Sequence, residues 1–284
     1  MEKIIQVPHK LNITEDSYRF LSKLQFDLYK CTEANIILNF DSCIFTHAAF
    51  TAYLGGLRLL CQHWGKNLLF KAATNSNIRT YFERSGLYDF FNPSNITHSN
   101  NNSIPFAKVN LDDDSIISYI DNILNLAPIR LSVNCRELLF KNIYEIFNNA
   151  IEHSQALCGV YACGHWMPNK NQLIFSVYDT GLGIPRRIKR AKPELSSSDA
   201  IIWALKSGTS TLQLSGGVPR GLGLYDLKQF ISLNNGALNI LSNDIYYRYT
   251  HSGKAVALPY DILGTLITIT ITADYDHIYI LKEE

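Results

Sequence analysis

The spacing of apolar residues in the first hundred positions alternates between the patterns of strands and helices. A short apolar run, NIILNF, covers 35–40 and predicts a buried strand, whereas apolar residues from Phe50 to Cys61 recur at helical spacing. A second run at 67–72 predicts another strand, and the helix after it should end near Gly86, which suits a left-handed cap. This alternation predicts an α/β layer.

A polar stretch, NPSNITHSNNNS, interrupts this pattern at 92–103. It offers almost nothing to bury, which is typical of a linker. A chain of 284 residues is long enough for two hydrophobic cores. We therefore predict two domains, covering residues 1–104 and 105–284.

The second half has long helical patterns followed by alternating strand patterns. Three aspartates open the first helix, where the helix dipole favours negative charge. The predicted helices cover 112–126 and 136–153, and the predicted strands cover 158–166, 173–178, 237–241, 245–250 and 266–272. The pattern predicts an α/β fold in which helices pack on a mixed, mostly antiparallel sheet.

Charge and hydropathy exclude several classes of function. The chain has 26 Lys and Arg against 25 Asp and Glu, so no overall positive field attracts nucleic acid. No apolar run reaches the roughly 18 residues that a membrane span needs, and residues 1–10 lack an apolar signal core. We expect a cytoplasmic protein that binds neither nucleic acid nor membranes.

The six cysteines are scattered through apolar segments, as thiols that serve as small hydrophobic residues usually are. Cys158, Cys163 and His165 are close enough to suggest a metal site. They share one alternating stretch without a second pair of ligands, which disfavours a structural metal.

A polar stripe runs along the second predicted helix of this half. Glu145, Asn149 and His153 are spaced four residues apart and so share one helix face, and their neighbours are apolar. The stripe therefore lies at the edge of the core. It is either the polar side of an amphipathic helix or a set of groups that bind a polar ligand.

Two glycine-rich segments follow along the chain. The first, DTGLGIP at 179–185, comes directly after a strand, so an acidic side chain is fixed where glycines let the backbone approach a ligand. The second, GGVPRGLGL at 216–224, opens a helix near Tyr225, where backbone amides can bind an anion. Each signal is weak alone, and so is Gly264-Thr265 at the start of the last strand.

In this order the four elements resemble the N, G1, G2 and G3 boxes of the GHKL superfamily, the ATPases with a Bergerat fold. The resemblance covers about residues 133–272 and is closest to the anti-sigma-factor kinases and the HATPase type. It implies a pocket that binds ATP with Mg²⁺ as its cofactors. In the same family, Asn149 would coordinate the magnesium, Glu145 would be the catalytic general base, Asp179 would accept a hydrogen bond from the adenine amino group, and Thr265 would support that contact.

The resemblance implies further nucleotide contacts. The residues that would shape the pocket and the phosphate cradle are Gly181, Gly183, Gly221, Leu222 and Gly223. The segment at 207–211 resembles the hinge of a lid over the triphosphate, with Gly208 and Thr209 among the contacts. Arg220 either reaches a phosphate or is a solvated loop charge. His153 matches the anti-sigma-kinase form of the N box, and both a packed and a nucleotide-binding role stay open.

The composition of 185–220, the predicted lid, is basic at its start and rich in glycine near its end. The serines at 196–198 offer caps for one short helix through Lys206. We expect one helix flanked by mobile segments.

The first half resembles a STAS domain, the fold of anti-sigma-factor antagonists, on NIILNFDSCIFTHAAFTAYLGGLRLLCQHWGKNLLF and RSGLYDFF. That family has a phosphorylatable serine in a D-S-[ST]-G-like turn. Here the turn is FTHAAF, and Thr46 is the only nearby hydroxyl. The domain is therefore expected to be a docking surface for a protein partner, and a homodimer is a further option.

Two functions fit these motifs. One is a regulatory switch that hydrolyses ATP slowly and controls a partner protein. The other is a protein serine/threonine kinase in which Glu145 activates a hydroxyl of a partner. The missing serine in the first domain favours the switch.

Overall fold

The structure is a computed structural model that describes residues 2–71, 76–91, 103–109, 112–152, 156–206 and 223–272. It is a mixed α/β fold with a large antiparallel sheet. Four layers stack on one another: a small parallel sheet, two helices, the large sheet, and a second layer of helices. No helix within these ranges is long and apolar enough to cross a membrane.

The first part of the chain alternates strands and helices, as its pattern predicts. Its elements are β1 (Glu2–Gln6), β2 (Lys10–Leu11), α1 (Glu15–Lys30), β3 (Asn35–Asn39), β4 (Phe45–Thr46), α2 (Thr51–His63), β5 (Asn67–Lys71), α3 (Ser76–Arg84) and α4 (Leu87–Phe91). Strands β1, β3 and β5 pair in parallel in that order, and β2 pairs with β4. Parallel neighbours need crossovers, which α1 and α2 provide. Gly86 follows α3 at a φ of 74°.

The second part contains the large sheet and its helices. Its elements are β6 (Ser103–Lys108), α5 (Asp113–Leu126), α6 (Val133–Glu152), β7 (Val160–Met167), β8 (Gln172–Asp179), α7 (Ile184–Ala191), α8 (Ser197–Ala204), α9 (Gly223–Leu233), β9 (Ala237–Ser242), β10 (Ile245–Tyr249), β11 (Gly253–Ala257) and β12 (Thr265–Thr272). The strand order is β11-β10-β9-β12-β8-β7-β6. Every pairing in this sheet is antiparallel.

The large sheet is buried on both faces. Strand β8 shows this most clearly, because successive side chains of a strand point to opposite faces. Leu173, Phe175 and Val177 pack into the core under α5, α6 and α9, whereas Ile174 and Tyr178 pack into a core shared with the first part of the chain. The two halves are therefore joined across the sheet.

Helix α2 lies close to the back of the sheet because it carries a pair of glycines. A Cβ atom at Gly56 would come within 2.5 Å of the Tyr178 ring, and one at Gly55 would come within 2.2 Å of the Phe106 ring. Larger side chains would push the helix away. The close packing of the first part on the sheet thus depends on these two positions.

The predicted lid contains more helix at its basic start than the sequence pattern indicated. We predicted one helix between 185 and 220, flanked by mobile segments, whereas the structure has both α7 and α8 there. Helix α7 buries Ile184 and Ile188, which are one helical turn apart, and packs on α8. Ser196 caps α8 by accepting a hydrogen bond from the Asp199 amide, as the serine pattern predicts.

Candidate functional site

A cleft that is partly open to solvent lies where α6, α7 and the ends of β8 and β12 meet. Its lining residues are Ile146, Asn149, Ala150, Val177, Asp179, Gly183, Ile184, Arg187, Leu224, Thr265 and Ile267. Four of the predicted site residues are among them: Asn149, Asp179, Gly183 and Thr265. They come from three segments that are far apart in the sequence.

Strand pairing places Asp179 beside Thr265. Asp179 is the last residue of β8, Thr265 is the first of β12, and the two are register partners. Gly264 has a φ of 87°, and a Cβ atom there would lie 1.8 Å from the carbonyl oxygen of Asp179. Only glycine fits such an approach. The weak Gly264-Thr265 signal in the sequence therefore marks a close contact in the fold.

The Asp179 carboxyl group is buried, with 7% of the residue exposed. Its Oδ1 accepts a hydrogen bond from the Gly181 amide at 2.9 Å. Burial raises the pKa of Asp179 to about 7, although the amides of Gly181 and Thr265 and the charge of Arg187 oppose that rise. This carboxyl group therefore changes charge near neutral pH.

Asn149 enters the cleft from α6 with its amide oriented by the helix. Its Nδ2 donates to the Glu145 carbonyl oxygen at 2.8 Å, which leaves the amide oxygen for a ligand. Amide oxygens are hard ligands that suit Mg²⁺, which usually takes few protein ligands besides phosphates and water. No cluster of three or more His, Cys, Asp or Glu that could hold a metal ion occurs among the residues described.

Glu145 lies one turn before Asn149 on α6 and is half-buried. It shares the face of Asn149 but does not line the cleft. The stripe predicted from the sequence therefore has Asn149 in the cleft, whereas Glu145 lies one turn earlier on the same helix face.

The loop after Asp179 is held by two residues that the sequence analysis missed, Ser242 and Asn243. The Ile184 amide donates to Ser242 Oγ at 2.8 Å, and the Arg186 amide donates to Asn243 Oδ1 at 3.1 Å. Asn243 Nδ2 donates to the Leu182 carbonyl oxygen at 2.9 Å. Because these partners already satisfy the Ile184 and Arg186 amides, those two amides are not available to bind a ligand.

Arg187 was predicted only as one of several charges in the lid. Its side chain lines the cleft, and its buried Nε has no hydrogen-bond partner within the ranges that the structure describes. Burial lowers the pKa of Arg187, whereas the neighbouring Asp179 raises it. A buried donor without a partner is costly, so a ligand that offers an acceptor would be stabilised here.

The Arg187→Met substitution should raise the pKa of Asp179 further above its ordinary range, because the Arg187 charge favours the ionised carboxylate. The measurement is a carbon-detected NMR titration of the aspartate carboxyl groups, in which we expect a wild-type midpoint for Asp179 of about 7. Arg186→Met is the matched control, since that neighbour is exposed and pairs with Asp261 instead. If the titration midpoint of Asp179 is the same in Arg187→Met as in wild type, the charge of Arg187 does not affect the pKa of Asp179.

Several predicted nucleotide contacts lie outside the residues that the structure describes: His153, Gly208, Thr209, Arg220, Gly221 and Leu222. Gly223 is the first residue of α9, and the next residue, Leu224, lines the cleft. Gly181 is buried beside Asp179, to which its amide is bonded. The start of α9 thus reaches the same cleft as Asn149 and Asp179.

The cleft combines apolar walls with a polar inner end. Ile146, Val177 and Ile267 supply apolar surface, and Asp179 and Thr265 supply hydrogen-bonding groups. Apolar walls with a few placed polar groups are typical of binding sites for small molecules. The sequence matches no known protein-family model, and no curated protein is significantly similar to it.

Proposed function

We propose that this chain binds ATP with Mg²⁺ in the cleft and acts as a nucleotide-dependent switch with slow ATPase activity that controls a partner protein. The observation that carries this proposal is the meeting of Asn149, Asp179, Gly183 and Thr265 in one cleft. These residues belong to the segments whose order resembles the N, G1 and G3 boxes of GHKL proteins. The meeting of these three distant segments in one cleft supports the proposal.

Adenine fits the inner end of the cleft. The base would lie between the apolar walls, and the ionised Asp179 would accept a hydrogen bond from its exocyclic amino group. Guanine has a carbonyl oxygen at the corresponding position, which would face a carboxylate without a proton between them. The Thr265 hydroxyl is 2.8 Å from Ser242 Oγ, so it is held in place beside Asp179.

Magnesium would be held at the outer end by the Asn149 amide oxygen together with the phosphates. When bound, the ion would neutralise part of the negative charge of the phosphates. Glu145, one turn away on α6, would take a proton from the attacking water.

The architecture is consistent with this assignment. We propose that the helices α5, α6 and α9 on the antiparallel sheet are a Bergerat sandwich, and that the first part with its parallel strands is a STAS-like domain. Thr46 is only 9% exposed and pairs with Leu11 in the two-stranded sheet of β2 and β4. A hydroxyl in that position is poorly placed to accept a phosphate, which favours docking of a partner over phosphorylation of this domain.

Nucleotide binding should stabilise the folded protein. With ATP and magnesium at about 100 times the dissociation constant, binding adds about 2.7 kcal/mol to the free energy of unfolding. A thermal-unfolding experiment should show a midpoint about 5–10 °C higher, because each kcal/mol moves the midpoint by roughly 2–4 °C at this size. GTP at the same concentration should have little effect, and an equal response to GTP would refute the adenine role of Asp179.

The destination of the phosphate separates the switch from the alternative function, a protein serine/threonine kinase. The protein is incubated with γ-labelled ATP, with and without cell lysate. Release of free phosphate alone supports the switch, whereas a labelled protein band supports the kinase. Labelling of the chain itself would contradict the docking role proposed for its first part.

A further inference from the structure

A closed ring of hydrogen bonds lies behind the cleft, on the opposite face of the large sheet. Gln25 Nε2 on α1 donates to the Tyr178 hydroxyl at 2.9 Å, and that hydroxyl donates to the Leu263 carbonyl oxygen at 2.9 Å. The Leu263 amide donates back to Gln25 Oε1 at 2.5 Å. Gln25 is 3% exposed and Tyr178 is fully buried, so water does not compete for these bonds.

Two corners of the ring are next to the residues that form the inner end of the cleft. Tyr178 precedes Asp179 on β8, and Leu263 precedes Gly264 and Thr265. Successive strand residues point to opposite faces, so the ring lies behind the sheet while Asp179 faces the cleft. The backbone of Gly264 also packs tightly on the Asp179 carbonyl oxygen, so the positions of the two segments depend on each other.

The Tyr178 ring is also enclosed by α2. A Cβ atom on Gly56 would lie only 2.5 Å from the nearest carbon of the Tyr178 ring. The centroids of the Tyr178 and Tyr53 rings are 4.7 Å apart. Burial raises the pKa of Tyr178 well above its ordinary value, so its hydroxyl stays protonated and remains a donor. The position of the Tyr178 side chain is therefore fixed by contacts with both α1 and α2.

We infer that Gln25 is a positioning residue of the nucleotide cleft, through which helix α1 sets the relative placement of Asp179 and Thr265. This inference rests on the function proposed above. Gln25 suits the role because its amide offers a donor and an acceptor at once, one for each segment. Coupling of this kind is reciprocal, so a partner that moves α1 changes nucleotide affinity, and nucleotide changes the docking of α1.

The Gln25→Met substitution keeps the length of the side chain and removes both bonds. We expect it to weaken the binding of Mg-ADP by about tenfold, a common size for coupling between sites. Binding is measured by calorimetry well below the unfolding midpoint. Ser22→Ala is the matched control, because Ser22 is also buried on α1 and its hydroxyl donates to the Arg19 carbonyl oxygen of the same helix. The control should bind like wild type.

A second measurement needs no nucleotide. Hydrogen–deuterium exchange of peptides that cover 179–184 and 262–266 should be faster in Gln25→Met than in wild type or Ser22→Ala, because both segments lose their common anchor. If Gln25→Met does not fold, Tyr178→Phe takes its place, since it keeps the bond between Gln25 and Leu263 and should shift both readouts in the same direction by less.

The outcomes separate this inference from the proposed function. If wild type binds Mg-ADP and Gln25→Met binds it equally well, the positioning role is wrong. Unchanged exchange in both peptides also overturns it. If wild type binds no adenine nucleotide while exchange rises in the variant, the proposed function fails and the anchoring of the two segments by Gln25 is supported.

Discussion

Replacement of Glu145 by Gln should lower ATP turnover by about 10²–10⁴-fold, the usual contribution of a general base, while the dissociation constant for Mg-ATP changes little. The shape of the side chain is kept, and only its ability to take a proton is lost. Glu145 is not among the residues that line the cleft, so the substitution should leave the proposed adenine site unchanged. Turnover is measured as phosphate release, and affinity is measured by calorimetry on the same preparation.

Glu137→Gln is the matched control for this experiment. Glu137 is exposed on the same helix, about two turns before Glu145, so it tests the effect of one lost charge on α6. The control should hydrolyse ATP like wild type. Wild-type turnover in Glu145→Gln would mean that Glu145 is structural, and parallel losses of turnover and affinity would mean that it supports the position of Asn149.

Much of the second half could be predicted because its elements have strong local patterns. Helix α6 and the hairpin of β7 and β8 were predicted to within a few residues, since each carries an unbroken period of 3.6 or 2. Asn149, Asp179 and Thr265 were predicted as partners only through the order of their motifs. Periodicity alone gave no reason to place them in one cleft, because that depends on the pairing of β8 with β12.

Other elements lack such patterns for identifiable reasons. Helix α1 was not predicted, because its buried face includes Ser17, Ser22 and Gln25 among the apolar residues. Strand β6 falls at the end of the polar stretch taken as a linker, contains Pro105, and shifts register between Ile104 and Ala107. It is an edge strand, where proline is tolerated because one side of the ladder needs no donor.

The missed site residues depend on contacts between distant parts of the chain. Asn243 lies 57 residues from Arg186 and 61 from Leu182 in the sequence, yet bonds to both backbones. Its local sequence predicts only a turn, and its φ of 51° agrees with that. Arg187 gave no signal beyond its charge. Its burial follows from the packing of α7, whose apolar pair Ile184 and Ile188 was overlooked among the basic residues.

The affinity for adenine nucleotides should fall by about tenfold between pH 8 and pH 6, because the proposed hydrogen bond needs the ionised form of Asp179. Burial raises the pKa of this group in the free protein to about 7, so at pH 6 roughly one molecule in ten has the carboxylate. The free energy of unfolding of the nucleotide-free protein depends on pH in the opposite direction and decreases as the pH rises. A raised pKa stabilises the fold below about pH 4, the ordinary range of aspartate, and this contribution is lost as the pH rises through 7.

Asp179→Asn separates this effect from the titration of the phosphates. The nucleotide and magnesium titrate identically in both proteins, so the ratio of the two dissociation constants isolates the carboxyl group. We expect the variant to bind about ten- to a hundredfold more weakly than wild type at pH 8, where a charged acceptor is lost, and the difference to narrow toward pH 6. An affinity of wild type that instead increases toward pH 6 would mean that the protonated acid donates to the base, and the assignment of Asp179 as an acceptor would be wrong.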